Sequence, residues 1–117
     1  MKILRTPDDA VDGLCGYPSE RRWVEIPSGE GQRLRVDLVD ANPDASSVIV
    51  LLHGNPSWSY LWRHQIGPLV DAGYRVIAPD LVGMGMSDKP AALGAPGGLQ
   101  FLLSAQFMLL NTCGKDD

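Results

Sequence analysis

Only two cysteines, Cys15 and Cys113, occur in the 117 residues. They lie near opposite ends and outside any CxxC pair, which excludes a disulfide-dense scaffold and a thiolate metal signature and fits free thiols in a reducing compartment. Clustered basic charge is equally scarce. With 10 Lys and Arg against 14 Asp and Glu the net charge is -4, and no basic run is longer than Arg21-Arg22. Nucleic acid therefore finds no electrostatic footprint here. Long apolar runs are missing too. Leu99 to Leu110 is interrupted by Gln100, Ser104 and Gln106 and falls short of the roughly 20 residues of a membrane span. The opening MKILRTPDDA lacks the apolar stretch of about 7 to 15 residues that marks a secretory signal. A cytoplasmic protein with no membrane segment is expected. What remains is ordinary globular material: 44% hydrophobic and 21% charged residues, in a length that suits one domain. There is no internal repeat.

Residues up to about Ser19 carry Pro7, Gly13, Gly16 and Pro18 with little periodicity, which predicts an irregular arm lying over a neighbouring surface. Arg22 to Ile26 and Leu34 to Val39 read as two strands joined across Pro27-Ser28-Gly29-Glu30-Gly31, a hairpin. The second alternates apolar Leu34, Val36 and Leu38 with polar Arg35 and Asp37, predicting one wetter face. Val48 to Leu52 is apolar on both faces and mostly β-branched at its start, the pattern of a central parallel strand. From Trp58 the apolar positions Trp58, Leu61, Trp62, Ile66, Leu69 and Val70 recur at helical spacing. Ser57 is the expected N-cap and Gly73 the C-terminal stop. Pro68 inside that pattern should kink the helix or shift its end. Tyr74 to Ala78 is a further strand, so strand, helix and strand make a right-handed βαβ unit.

The residues that could carry chemistry are His53-Gly54-Asn55-Pro56, between the apolar strand and the helix. Loops at the C-terminal ends of parallel strands are where α/β sheets collect ligands. A glycine there lets backbone N-H groups turn toward a developing anion, and Asn55 adds a side-chain amide donor that is neutral at any working pH. Such a donor suits a halide or an oxyanion. Each residue also has a plainer reading. His53 anchors the loop by hydrogen bonding, His64 is a surface residue, and Asn55 is a turn former. Trp58 and Trp62, one turn apart, pack the helix onto the sheet rather than line a pocket. Gly83-Met84-Gly85 lacks the third glycine of a dinucleotide fingerprint, with Asp88 in its place. Asp80 and Asp88 shape loops, because neither lies in a G-x-D-x-G or G-x-S-x-G elbow.

The segment VIVLLHGNPSWSYLWRHQIGPLVDAGYRVIAPDLVGMGMSDKP resembles the haloalkane dehalogenases of the α/β-hydrolase superfamily, and LRTPDD near the start is similar to some of them. HG-x-P alone is shared with epoxide hydrolases and esterases; HGNPSWSYLWR together with GMG-x-SDKP is more specific. The resemblance implies an α/β fold, here an incomplete α/β-hydrolase core of N-terminal strands plus one βαβ unit, without its cap domain. It also implies attack of an Asp carboxylate on the halogen-bearing carbon of a haloalkane, then hydrolysis of the alkyl ester by a His-activated water. In that chemistry Asn55 binds the departing halide and completes the oxyanion hole, with His53, Gly54 and Pro56 supporting the loop and Trp58 at the pocket or in packing. The partners are a small halogenated alkane and a halide ion. No metal and no cofactor are implied, and full-length relatives are expected to be monomeric.

No nucleophile elbow occurs in the 117 residues, and neither His sits after a late strand. The family pattern stops after Pro90, so the chain divides into residues 1–90, the front of an α/β-hydrolase domain, and 91–117, a Gly/Ala/Pro-rich stretch followed by an apolar tail. In a helix drawn through that tail, apolar side chains fall nearly all round. A truncated or frameshifted dehalogenase, inactive alone, is the expectation. Without its next neighbour, Val48 to Leu52 becomes an exposed apolar edge through which the chain self-associates. An epoxide-hydrolase-like fragment and a small non-enzymatic protein that binds a partner through the tail are the alternatives.

Overall fold

The structure is a computed structural model, and it describes residues 2–18, 20–28, 31–54 and 57–91. The Gly/Ala/Pro-rich stretch and apolar tail expected over 91–117 lie outside the described residues, apart from Ala91. Six strands are described: β1 (Ile3–Leu4), β2 (Arg21–Pro27), β3 (Arg33–Ala41), β4 (Val48–Val50), β5 (Arg75–Pro79) and β6 (Lys89–Pro90). One helix, α1 (Ile66–Asp71), and two 3-10 turns, Asp8–Val11 and Ser59–Trp62, join them.

The expected hairpin is present. β2 and β3 pair antiparallel from Arg21 opposite Val39 to Pro27 opposite Arg33, and Ser28 N-H donates to the Gln32 carbonyl at 2.9 Å to close the connection. β3 runs longer than its alternation suggested because it is paired on both sides, with Leu38 to Ala41 also matched antiparallel to β5. β5 pairs parallel with β4, giving the sheet order β2-β3-β5-β4. Two apolar clusters cover its faces. Ile26, Leu34, Val36, Leu38, Ile77 and Val82 form one. Val39, Ala41, Val76 and Ala78 form the other with Ile66 of α1, and Trp62 and Leu69 pack against it.

Four expectations are corrected by this arrangement. β5, buried at every position, is the central parallel strand. β4 is the edge of the described sheet, as expected of a sheet without its next strand, with Val48, Val50 and Leu52 exposed by 43–46%. The polar face of β3 is not wet, because Asp37 is buried and ion-paired with Arg21. The single helix expected from Trp58 to Gly73 is instead a 3-10 turn, a non-helical step through Arg63 to Gln65, and then α1. The 3-10 turn is preceded by Trp58 with no side-chain cap, so Ser57 is not an N-cap. Pro68 explains part of the division: it sits at the third position of α1, where a missing N-H costs nothing. The C-terminal stop is as expected. Gly73 at φ 96 lets its own N-H reach Val70 O and Tyr74 N-H reach Leu69 O, at 2.9 and 3.1 Å, the paired bonds of a Schellman ending.

The N-terminal arm is more ordered than its composition suggested. β1 pairs antiparallel with β6, and Arg5 grips Asp88 with two hydrogen bonds of 2.6 and 2.9 Å. Among the described residues, no helix is long and apolar enough to cross a membrane. Cys15 is an exposed free thiol, and Cys113 lies outside the described residues.

Candidate functional site

Two loops leave the C-terminal ends of the parallel pair side by side, one after β4 and one after β5. Leu51 N-H still donates to Ile77 O at 2.9 Å, so the strands run together as far as the loop carrying His53. His53 is 5% exposed. Its Nε2 accepts a hydrogen bond from Leu81 N-H at 3.0 Å. Because a backbone N-H only donates, that bond fixes the proton on Nδ1, which donates to Gly54 O at 2.8 Å. The ring ties one loop to the other, as the loop-anchoring reading expected.

Asp80 is the second fastening. It is fully buried, and its carboxylate accepts from Ser59 N-H at 2.8 Å, Met86 N-H at 3.0 Å and the Arg21 guanidinium at 3.0 Å. One side chain therefore holds the start of the 3-10 turn, the Gly83 to Ser87 turn and strand β2. Arg21 also reaches Ser59 Oγ at 2.9 Å and Asp37, while Ser87 Oγ accepts from Asp37 N-H at 3.0 Å. Burial drives the Asp37 carboxyl above its usual pKa, with Arg21 opposing. Asp88 closes the far end of the loop by accepting from Arg35 N-H at 2.8 Å. Lys89 spends its ammonium on Thr6 Oγ1, Gly85 O and Ser87 O, at 2.6 to 2.9 Å. Its pKa is lowered because burial penalises the cation. Asp80 and Asp88 thus shape their loop, in agreement with the sequence reading.

Burial pushes the Asp88 pKa up, but the hydrogen bonds from Arg5 and from Arg35 N-H outweigh it, and the net shift is downward. A carboxylate with a lowered folded pKa contributes stability above its unfolded pKa of about 3.9, and that contribution is lost as pH falls through the folded value. Asp40, held chiefly by Arg75 and then by Arg22, shifts the same way. Stability should therefore decline as pH drops below about 4. Urea unfolding midpoints measured from pH 2 to 6 should fall less steeply in Asp88→Asn than in the parent chain, and parallel curves would contradict this account.

The expected site residues are placed unevenly. His53 and Gly54 lie at the mouth of the two loops, Gly54 exposed and, among the described residues, with nothing within 4 Å of where a side chain would begin. Asn55 and Pro56 lie outside the described residues. Trp58 is half-buried and stacks on Tyr60 and Tyr17, with ring centres 5.4 and 6.0 Å away. It borders a cleft of about 370 Å³ beneath the N-terminal arm, walled by Thr6, Val11, Leu14 and Met86. Trp62 packs on the sheet instead, and His64 is exposed. Among the described residues, no three His, Cys, Asp or Glu side chains converge to hold a metal.

Arg21, Asp37, Arg5 and Lys89 were not singled out from the sequence, although together they set the loops. The one available signal was the buried-strand position of Asp37 in LRVDLV: a carboxylate there requires a cation, and Arg21 opens the strand opposite. Sequence spacing alone could not choose among the arginines.

With the geometry in view, the comparisons with known proteins are specific. The model of the α/β hydrolase fold family matches residues 47–110. A haloalkane dehalogenase of Mycobacterium marinum is 46% identical over 93 residues, which is 80% of this chain and 31% of that protein. The chain thus spans about a third of the length of this relative. The tetrameric haloalkane dehalogenase of Paraglaciecola agarilytica NO2 superposes on 95% of this chain and 38% of its own, with a TM-score of 0.74 and 35% identity. That relative is an oligomer, against the monomer expected of full-length members. Epoxide hydrolase A of Mycobacterium thermoresistibile covers 80% of this chain and 28% of its own, with a TM-score of 0.60 and 41% identity. The paired loops at the ends of a parallel β4-β5 unit and a family match over more than half of the residues lead to one assignment: this chain belongs to the α/β hydrolase fold family.

Proposed function

We propose that the chain carries the halide-binding and oxyanion-binding loop of a hydrolase that cleaves carbon-halogen bonds of haloalkanes to give an alcohol and a halide. The observation that carries this reading is HGNPSW on the loop that His53 clamps at the end of β4, in a chain 46% identical over 93 residues to a haloalkane dehalogenase. In the proposed reaction an Asp carboxylate from beyond these 117 residues forms a C-O bond to the substrate carbon as the C-X bond breaks. Halide leaves against the Asn55 amide. Water, deprotonated by a His also supplied from elsewhere, then attacks the ester carbonyl, releasing the alcohol and regenerating the carboxylate. No G-x-D-x-G or G-x-S-x-G elbow stands in the sequence, so the 117-residue chain has no turnover of its own.

The test compares the chain with a chimera in which residues after Pro90 are replaced by the corresponding region of the Mycobacterium marinum relative. Halide release is expected from the chimera and not from the chain. Asn55→Ala in the chimera should lower kcat about 100-fold, the usual loss for one well-aimed anion donor. Halide release by the 117-residue chain itself would overturn the reading. A second reading, an epoxide hydrolase, is favoured by the 41% identity to an epoxide hydrolase structure; a chimera that opened epoxides and spared haloalkanes would support it.

A further inference from the structure

Residues 5–17 of the N-terminal arm touch both loops of the candidate site, one loop at each end. At the near end Arg5 donates twice to Asp88, at 2.6 and 2.9 Å, and Thr6 Oγ1 donates to Gly85 O at 2.7 Å while accepting from Lys89 Nζ at 2.6 Å. At the far end the Tyr60 hydroxyl donates to Cys15 O. The Tyr17 ring lies 6.0 Å from Trp58 and 6.5 Å from Tyr60, with the Arg21 guanidinium 4.8 Å over it. Both ends converge on Trp58. Tyr17 stacks on its indole, and Gly85, held through its carbonyl by Thr6 and Lys89, backs so closely on it that a Cβ there would lie 2.9 Å from Trp58 Cβ.

The span between the two ends is braced. Ala10 N-H donates to Pro7 O, Asp12 N-H to Asp9 O, Leu14 N-H to Val11 O and Tyr17 N-H to Leu14 O, at 3.0 to 3.3 Å, and each of these bonds closes a turn. Gly13 and Gly16, at φ 83 and 73, supply the left-handed steps that let one closed turn run into the next. A slack loop would absorb a displacement at one end. A run of closed turns passes it to the other, because no turn moves without breaking its own hydrogen bond.

We propose that residues 5–17 are a strap that opens and closes as one unit and holds Trp58 from two sides, and that Arg5, acting through this strap, is a positioning residue for the reaction proposed above. Trp58 directly follows HGNPS in the sequence, so the strap sets where that loop ends. The role of Arg5 rests on the proposed reaction; the strap does not. The Arg5 side chain is 52% exposed and belongs to neither apolar cluster, so trimming it leaves no hole in the core.

Hydrogen exchange on the 117-residue chain tests the strap. Arg5→Ala should speed exchange of the Ala10, Asp12, Leu14 and Tyr17 amides by one common factor, about fivefold or more, as expected of a single opening unit, and leave Val76 and Ile77 of β5 unchanged. Tyr60→Phe, which cuts the other end, should speed the same four together. An effect of each variant confined to its own end, no effect, amides already unprotected in the parent, or acceleration that spreads to β5 would each overturn the strap. Kinetics of the chimera test the positioning. Arg5→Ala there should lower kcat about tenfold with KM within about twofold, because the loop carries a donor for charge that develops in the transition state. Arg5→Lys, which keeps a cation for Asp88, should recover most of the loss. Unchanged kcat, or a loss that Lys does not relieve, would overturn the role of Arg5. A parent chimera without halide release would remove the proposed reaction, and the role of Arg5 with it, while the exchange rates still decide the strap.

Discussion

Arg21→Met is expected to remove about 3 to 5 kcal/mol of stability, enough in a domain whose total is about 5 to 15 kcal/mol to leave a large unfolded fraction at room temperature. The reason lies in what stays behind. The Arg21 side chain is 9% exposed and lies 3.0 Å from carboxylate oxygens of both Asp37 and Asp80, and Asp80 is fully buried. Met fills similar volume, but two carboxylates then lose their common cation, and an uncompensated buried charge is far costlier than an absent pair. Urea unfolding followed by circular dichroism reads the loss. Arg21→Met combined with Asp37→Asn should recover part of it. The deficit should also shrink on acidification. Burial already raises the Asp37 pKa, and loss of the cation raises it further. A carboxyl with a raised folded pKa binds its proton more tightly when folded, so its destabilising effect grows as pH rises through that value and fades below it. A deficit under 1 kcal/mol, or one independent of pH between 7 and 5, would show that Arg21 does not bind these two loops to the sheet.

That cluster also marks the boundary of what the sequence discloses. The β2-β3 hairpin could be read almost residue by residue, because alternation and turn chemistry are local and two facing strands suffice to satisfy them. The β4-β5 pairing was legible for the same reason, and so was its open edge. Which strand would be central was not legible. Val48 to Leu52 has the stronger apolar run, but β5 alone has partners on both sides, and partnership is a property of the whole sheet. The helix misread from Trp58 to Gly73 shows a related limit. Its apolar spacing is correct, yet the Asp80 carboxylate takes Ser59 N-H, a bond from 21 positions away that fixes the start of a 3-10 turn instead. Asp37 offers the clearest case: one polar residue in an alternating strand reads as solvent-facing until Arg21, Ser87 and Asp80 are brought around it. At the candidate site, His53 was legible as a loop anchor. The roles of Asn55 and Pro56 rest on the family resemblance and on the chimera experiment.

The glycine at 85 brings the same loops to a second large expected effect. Gly85→Ala should cost about 3 kcal/mol, combining roughly 1 kcal/mol for a left-handed backbone with about 2 kcal/mol of overpacking. Its φ is +54°, and a Cβ built there would lie 2.6 Å from Asp80 Cγ and Oδ2 and 2.9 Å from Trp58 Cβ. Neither neighbour has freedom to yield. Asp80 is fixed by Ser59 N-H, Met86 N-H and Arg21, and Trp58 Cβ moves only with its backbone, next to the loop that carries Gly54. The added methyl must therefore either displace the Asp80 carboxylate from its donors or push Ser57 and Trp58 outward. In both cases Trp58 leaves its stack on Tyr60, so a red-shifted tryptophan emission should accompany the lower urea midpoint. Gly54→Ala supplies the contrast: among the described residues nothing lies within 4 Å of a Cβ there, and its backbone is not left-handed, so its stability should stay within about 0.5 kcal/mol of the parent. Equal losses at the two positions would mean that the glycine of the β4 loop is constrained by packing. A loss confined to Gly85 would instead assign the rigid glycine to the loop after β5, where the Asp80 carboxylate and Trp58 close on it.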